Sequence, residues 1–455
     1  MTNGAQNNYI LISDASGNAS WTSSIPGTSG TSGSSGTSGS TGTSGSSGSS
    51  GAGTSGTSGV SGVGGAGAAG LSGQFQINNG SGTFSAYGYF TESNLYLNQT
   101  SIYAIGSLNT FIGVGSGLTN SGNHNVFIGA SAGGKNTIGC NNIFIGSGAG
   151  LQNTTGCNNV FIGCGSGSGN TSGADNIFIG ERSGCGNTIG QLNIFIGNCA
   201  GRSSTSSSNN LFIGINAGLN TFSTGFGPGN SNIFIGNDSG YCNLTGFGNV
   251  FIGLRSGCLN RTGCNNIFIG YSAGINNTSG YQNIFIGYDS GGCSTIGNQN
   301  VFIGEASAFK NISGSFNTFV GYTSGYQNNS GCFNTFLGYR AGFSNTIGFN
   351  NAFFGPDSGY SATQSCDNSY FGLGTGYKNC GCFNTFIGNC ADSIPNGNVC
   401  RAIAIGRGAT VSTTGDFAIG SVAYPINTTS TAATISLYMC VKVNGTDYRI
   451  PLYTG

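Results

Sequence analysis

One apolar five-residue word recurs along this chain. Residues 266–270 read NIFIG, and residues 283–287 read NIFIG again, with twelve mostly small and polar residues between them. We number each copy from its central aromatic residue, so that Phe268 is position 0, Asn266 is position −2 and Gly270 is position +2. The same three positions of the next copy are Asn283, Phe285 and Gly287. A chain built this way is constrained to form similar units that stack.

The repeat holds over seventeen copies. Position 0 runs from Phe111 to Phe386, and the step is 17 residues except for 16 near each end and 22 between Phe212 and Phe234. Every copy carries Asn at −2 and Gly at +2. A short fixed period predicts a solenoid in which each copy forms one coil.

The word itself predicts a short strand. Ile, Val and Phe favour a pleated surface, and Gly ends the strand. The Gly, Asn and Ser of the spacer favour turns, with a second and weaker strand among the small residues. We therefore expect an all-β solenoid or β-roll of about 17-residue coils, stacked about 4.8 Å apart. In register, Asn266 would bond to Asn283, Phe268 would lie over Phe285, and Gly270 over Gly287.

Alternation along the strand gives it two apolar faces. Phe268 points to one side, whereas Ile267 and Ile269 point to the other. One face fills the coil interior, and the other needs a cover. We expect that cover to be further copies of the chain, in a homotrimer. The alternative is a monomer whose own loops cover the second face.

Other segments differ in composition. We expect an N-terminal attachment segment over 1–26, a short β adaptor over 74–105, the solenoid over 106–420 and a β-hairpin cap over 421–455, turning at Asn444–Gly445. Residues 27–73 form a tract with Gly at every third position, with two phase slips. Such spacing is typical of a collagen-like triple helix, because only Gly fits its axis. The alternative is a flexible linker.

Residues 402–420 read AIAIGRGATVSTTGDFAIG, with a step of 14. This stretch resembles the head repeats of trimeric autotransporter adhesins, and the 17-residue copies look like a lengthened form with FIG in place of AIG. The resemblance implies a trimeric β-roll. The chain departs from that family because we find no export signal, coiled-coil stalk or membrane barrel in it.

The end segments resemble bacteriophage tail fibres and virion fibres of large DNA viruses. The resemblance rests on NNYILISDASGNASW, the GTSGTSGSSG tract and the ending VNGTDYRIPLY. It implies an elongated trimeric fibre that is made in the host cytoplasm and fixed to a virion structural protein by its N-terminus. Such a fibre presents its C-terminal part to a host-surface glycan or receptor. The alternative localisation is extracellular, on a cell surface.

Composition excludes most other classes. The net charge is +0 and only 5% of residues are charged, so we expect no nucleic-acid partner. The sequence has no run of about 18 apolar residues, so we expect no membrane insertion. The single His124 precedes a strand in a turn, and no catalytic, phosphate-binding or metal-ligating pattern occurs. We expect a non-enzymatic protein without cofactors.

Two columns of aromatic residues are candidate glycan or receptor contacts. The first lies at +3 and is interrupted by Glu305; the second lies at +7. Stacked coils would align each column along the solenoid, and the alternative role is packing between rungs or chains. The candidates are Tyr271, Tyr288, Tyr322 and Tyr339 at +3, and Phe309, Tyr326, Phe343, Tyr360 and Tyr377 at +7.

The 16 cysteines are scattered, which favours free thiols of a cytosolically made protein. Cys140 and Cys157 share one position in adjacent coils, within disulfide range if the coils stack. For function we expect host attachment by a virion fibre. Open alternatives are a self-assembling structural or sheath filament, a cell-surface adhesin, and an ice-binding solenoid using Thr and Asn ranks.

Overall fold

The computed structural model describes residues 106–221, 229–393 and 398–420, together with the backbone of strands on either side of this range. The predicted collagen-like tract and the insertion at 222–228 lie outside the described residues. Unit one, residues 1–92, contains two antiparallel strand pairs, β1 with β2 and β3 with β4. These strands are β1 (Ile10–Ser13), β2 (Ala19–Thr22), β3 (Phe75–Asn78) and β4 (Phe84–Phe90).

Unit two, residues 93–455, is a parallel β-solenoid. Its strands are β5 (Asn94–Leu97), β6 (Asn109–Ile112), β7 (Val126–Ile128), β8 (Ile143–Ile145), β9 (Val160–Ile162), β10 (Ile177–Ile179), β11 (Ile194–Ile196), β12 (Leu211–Ile213), β13 (Ile233–Ile235), β14 (Val250–Ile252), β15 (Ile267–Ile269), β16 (Ile284–Ile286), β17 (Val301–Ile303), β18 (Thr318–Val320), β19 (Thr335–Leu337), β20 (Ala352–Phe354), β21 (Ser369–Phe371), β22 (Thr385–Ile387), β23 (Asp392–Ser393), β24 (Ile403–Ile405), β25 (Thr410–Val411), β26 (Phe417–Ile419), β27 (Tyr438–Val443) and β28 (Thr446–Pro451).

The coils stack in register. Each three-residue strand pairs in parallel with the same three positions of the next coil, so that Phe268 is the partner of Phe285. The two rings stack with centroids 4.7 Å apart and planes 7° from parallel. The predicted solenoid of about 17-residue coils is therefore confirmed, and the described residues contain no helix. In the tail, β27 and β28 form an antiparallel pair in which Val443 faces Thr446.

The interior of each coil holds one large ring and two amides. Phe at position 0 and Asn at −2 are fully buried, as are Ala or Ser at +5 and usually Asn at +9. The Asn266 side-chain oxygen accepts hydrogen bonds from the backbone amide and the side-chain amide of Asn283, at 2.9 and 3.2 Å. Asn283 also donates to the Gly297 carbonyl at 2.8 Å. This confirms the predicted ladder and satisfies buried polar groups that would otherwise be costly.

Glycine is required at +2 and +6 for different reasons. Gly270, at +2, has φ of 136°, and a Cβ there would lie 2.7 Å from the carbonyl carbon of Gly287. Gly274, at +6, has φ of 57°, and a Cβ there would lie 2.6 Å from the Phe268 ring. The first glycine lets neighbouring backbones approach, and the second makes room for the ring.

The predicted second strand is wrong for the regular coils. The spacer forms turns, and among the described residues of the coils a second short strand pairs only in the late coils, β23 with β25. The reason lies in the backbone, because positions +2, +4 and +6 and the residue before the −2 Asn all have positive φ. An extended run cannot form across so many left-handed positions.

The residues at positions +9 and +12 change together where a coil departs from the repeat. Position +12 is normally Gly, because a Cβ there would overlap the +9 Asn side chain, as Gly280 would with Asn277. In the coil of Phe195, Ser207 replaces this Gly and Ser204 replaces the Asn, and the two hydroxyls are in contact. The coil of Phe353 makes the same paired change, with Ala362 at +9 and Ser365 at +12. Position +12 therefore accepts a side chain only when +9 is small.

Two pairs of cysteines meet between adjacent coils, and one of them forms a disulfide. Cys366 and Cys382 form a disulfide with Cα atoms 4.8 Å apart, so the expectation of free thiols is wrong for this pair. Cys140 and Cys157 are free thiols with Sγ atoms 2.9 Å apart. Both pairs follow from stacking like residues at the rung spacing.

Candidate functional site

The two predicted aromatic columns lie on one side of the solenoid, and they differ in exposure. The +3 residues Tyr271, Tyr288, Tyr322 and Tyr339 are exposed, whereas the +7 residues Phe309, Tyr326, Phe343, Tyr360 and Tyr377 are half-buried. The sharp turn through Gly at +2 directs +3 outward. The +7 side chains follow the inward +5 and +6 positions and lie against the rungs on either side.

Arg340 joins the two columns. Its guanidinium carbon lies 4.9 Å from the ring centres of both Tyr339, in the +3 column, and Tyr360, in the +7 column. The same guanidinium donates to both carboxylate oxygens of Asp357 at 2.7 and 3.0 Å. This bidentate pair fixes Arg340 in place, with the attraction between the cation and the rings adding to it. The sequence alone gives two separate columns, and Arg340 makes them one surface.

Within each column the rings cover one another. Tyr271 and Tyr288 stack at 5.1 Å and 8°, and Tyr322 and Tyr339 stack at 5.4 Å and 10°. The +7 rings stack continuously from Phe309 to Tyr377 at 4.9–5.5 Å. A ring stacked on both sides presents only its edge to solvent, and this holds for Tyr326, Phe343 and Tyr360 of the +7 column. Each +3 tyrosine is stacked on one side only.

The break in the +3 column leaves two such ring faces opposite each other. Glu305 occupies the rung between Tyr288 and Tyr322, so neither ring has an aromatic ring stacked on the face towards Glu305, and we call this interruption the gap. Two rungs place the two rings roughly 10 Å apart. A single saturated ring between two aromatic faces needs roughly 7–8 Å, since carbon contacts are close to 4 Å. The gap therefore has the height of one sugar ring.

Two carboxylates border this gap. Glu305 stands between the tyrosines, and Asp289, at +4 of the coil below, is close enough to Glu305 for their charges to interact. Burial and then the negative charge of Glu305 raise the pKa of the Asp289 carboxyl above its ordinary value. Carboxylates accept hydrogen bonds from hydroxyl or ammonium groups. The gap combines two aromatic faces with acceptors for a polar ligand, whereas in the sequence Glu305 is only an interruption of the column.

A second exposed aromatic group was missed altogether. Phe316 and Phe333 stack at 4.8 Å and 3°, each about half exposed, just before the −2 asparagines. A shallow groove of about 350 Å³ lies beside them, and its lining includes Phe333, Ile347 and Phe349. The signal was present in the sequence, because SFNTF and CFNTF place Phe where most copies have a polar residue.

Other candidate chemistry has structural explanations. The Thr rank at +10 is used internally, since Thr154 and Thr171 donate their hydroxyls to carbonyls of the next coil at 2.9 Å, which leaves fewer donors to order ice. The described residues hold no cluster of three metal-ligating side chains. Within the same residues, no helix has the length and apolar character needed to cross a bilayer.

Comparison with known proteins adds no assignment. A scan against protein-family models finds no match for this chain, and a search of curated proteins finds no significant match.

Proposed function

We propose that this protein is a non-enzymatic, trimeric virion fibre that attaches to a host surface by binding glycan. Its N-terminal segment would join the virion, and the solenoid would carry the binding face. The proposal rests on a rigid ladder that presents two unlike outer surfaces. The aromatic side carries the gap at Glu305, and the outer strand face carries half-exposed Ile and Val at −1 and +1.

The outer strand face supports self-association. Position 0 is buried in every coil from Phe111 to Phe386, while the −1 and +1 side chains are half-exposed or exposed. No described loop covers them, which argues against the alternative of a self-covered monomer. A contiguous apolar surface of this length is unusual on a monomeric protein.

The gap supports the choice of glycan as ligand. Tyr288 and Tyr322 would stack on the two faces of a sugar ring, and Glu305 would accept hydrogen bonds from its hydroxyls. Stacking on aromatic faces needs no charge on the ligand, and the carboxylates favour neutral or amino sugars over acidic ones.

The test is a glycan array probed with the full chain and two variants. Glu305→Tyr fills the gap with a ring that continues the stack, and it should abolish binding. Glu181→Tyr is the matched control, because Glu181 is also at +3 but its column neighbours are Cys164 and Asn198. Binding that survives Glu305→Tyr, or is lost equally in the control, would contradict the proposed site.

The fibre itself is tested by mass and by electron microscopy. Light scattering of the full chain should give a mass close to three chains, and negative stain should show discrete rods. A monomer would count against the fibre, and filaments of indefinite length would favour the structural-filament alternative.

A further inference from the structure

The residue before each −2 asparagine, position −3, has an unusual backbone. Its φ is positive in all copies, between 56° and 65°. Asn, Asp and Gly tolerate this left-handed conformation, and larger apolar residues are strained in it. Most copies accordingly carry a polar or small residue there.

Five copies place large apolar residues in this strained position and expose them. Their exposed fractions are 58% for Leu108, 55% for Leu192, 48% for Phe316, 57% for Phe333 and 55% for Phe383. In the isolated chain each of these residues is unfavourable for two reasons, because its backbone is strained and its apolar surface is exposed to water. Strain kept at an exposed site indicates a role outside the single chain.

Four of these five copies carry Thr at −1, and the exception is the copy of Leu192, which carries Ile. The residues are Thr110, Thr318, Thr335 and Thr385. All copies from Val126 to Val301 instead carry Val, Ile or Leu at −1, and among them only Leu192 adds an apolar residue at −3. Every Thr at −1 is therefore accompanied by an apolar residue two positions earlier, whereas the small residues Ala352 and Ser369 at −1 follow polar residues at −3.

Positions −3, −1 and +1 thus form a long strip, which we call the seam. No charged residue occupies −1 or +1 between Phe111 and Phe386. At a rung spacing of about 4.8 Å the seam is roughly 77 Å long, and at roughly 10 Å wide it covers about 800 Å². One partner of a stable interface buries about this much surface.

We propose that the seam is where a second copy of this chain packs, and that Leu108, Phe316, Phe333 and Phe383 are its anchors. This deepens the trimeric fibre proposed above and rests on it. A second copy matches the seam in two ways, because its −1 and +1 positions are also uncharged and it repeats at the same spacing. The acidic residues of the seam, Asp175 and Asp367, lie at −3. The groove beside Phe333, lined by Ile347 and Phe349, would accept a side chain of the neighbouring copy.

The test compares two triple variants of the full chain by sedimentation over a range of concentrations. Phe316→Asn, Phe333→Asn and Phe383→Asn together restore the residue that suits positive φ, so the monomer should fold. Losing a single interface anchor weakens binding by about 30-fold, and the triple variant should dissociate far more. The control replaces Val114, Ile215 and Leu254, which are equally apolar and exposed at +3, with the Asn found there in other coils. It should stay assembled.

A rescue keeps the test decisive. Adding Thr318→Ile, Thr335→Ile and Thr385→Ile to the Phe variant reproduces the NNI pattern of copies such as residues 141–143, and it should restore assembly. The seam is wrong if the Phe variant assembles like the wild type, if the control dissociates as readily, or if the rescue fails although the circular dichroism spectrum is unchanged. A trimeric wild type with an unaffected Phe variant refutes the seam alone, whereas a monomeric wild type refutes the fibre as well.

Discussion

Ala308 is the one departure from glycine at +6 among the coils from Phe111 to Tyr370, and Ala308→Gly should stabilise the protein. Ala308 is fully buried with φ of 52°. The rings of Phe302 and Phe319 are 5.2 Å apart and 17° from parallel. The other neighbouring rings between Phe127 and Tyr370 lie at 4.6–4.9 Å and 4–8°. The alanine methyl group coincides with the widest opening in the stack, and a similar opening occurs at the first pair, where the Phe111 and Phe127 rings are 5.1 Å apart and 14° from parallel.

The magnitude follows from opposing terms. Removing Cβ relieves about 1–2 kcal/mol of left-handed strain. Closing a gap of a few tenths of an ångström regains a part of a ring pair worth about 1 kcal/mol. Against this, glycine loses about 0.8 kcal/mol of methyl burial and about 0.5 kcal/mol of conformational entropy in folding. The net expectation is a stabilisation of about 0.5 kcal/mol.

The assay is equilibrium urea unfolding at a fixed protein concentration. The dependence of the unfolding free energy on urea concentration must be the same for the variant and the wild type. Ala273→Gly is the control, because Ala273 is fully buried at +5 without positive φ, so the same chemical change should destabilise by about 1 kcal/mol or more. The reverse change Gly291→Ala should also destabilise, since its Cβ would lie 2.6 Å from the Phe285 ring. If Ala308→Gly destabilised the chain as Ala273→Gly does, the steric account of +6 would be refuted.

Three further predictions concern other positions. Asp416 accepts hydrogen bonds from two preceding hydroxyls and backbone amides, which lower its pKa to about 2. The stability that the Asp416 carboxylate contributes should be fully present above the ordinary carboxyl pKa of 3.8 and be lost as the pH falls towards about 2. Asp416→Asn should therefore make the stability of the last coils, measured by hydrogen exchange, less dependent on acid pH. An unchanged pH profile would contradict this. With oxidised glutathione as oxidant, the Cys140 and Cys157 thiols should form a disulfide that gives a cross-linked peptide in mass spectrometry and stabilises the protein by roughly 3 kcal/mol. Cys157→Ser should abolish both effects, and unlinked thiols after oxidation would count against the pairing. Gly280→Ser should destabilise by about 2 kcal/mol in urea unfolding because it crowds Asn277, and adding Asn277→Ser should restore part of this; a second substitution that only adds damage would speak against the compensation.

Much of the fold was readable from the repeat. Phe268 and Phe285 had to stack once the coils were in register, and Asn266 had to bond to Asn283, because identical residues at a fixed period meet at the rung spacing. The second strand was predicted wrongly, because small residues in the spacer signal turns and strands equally well. Only the backbone shows that +4, +6 and −3 turn left-handed.

The candidate site was less accessible to sequence. The residues in the columns of Tyr271 and Phe309 could be identified from the sequence, but the sequence does not give the orientation of their rings. Whether a ring shows its face or its edge depends on its neighbours in the next rung, and this makes Glu305 the point of interest rather than the tyrosines stacked away from it. The contact of Arg340 with Tyr360 likewise joins residues twenty positions apart in sequence.

The sequence alone determined the coil length, the identity of the buried ring and the amide ladder, since each depends on one residue type recurring at one period. The tertiary structure decided which ring faces are covered, which residues are strained and which apolar positions remain in water. Those properties arise between rungs, where the side chain of one coil closes or opens the surface of the next, and no single copy of the repeat contains that information.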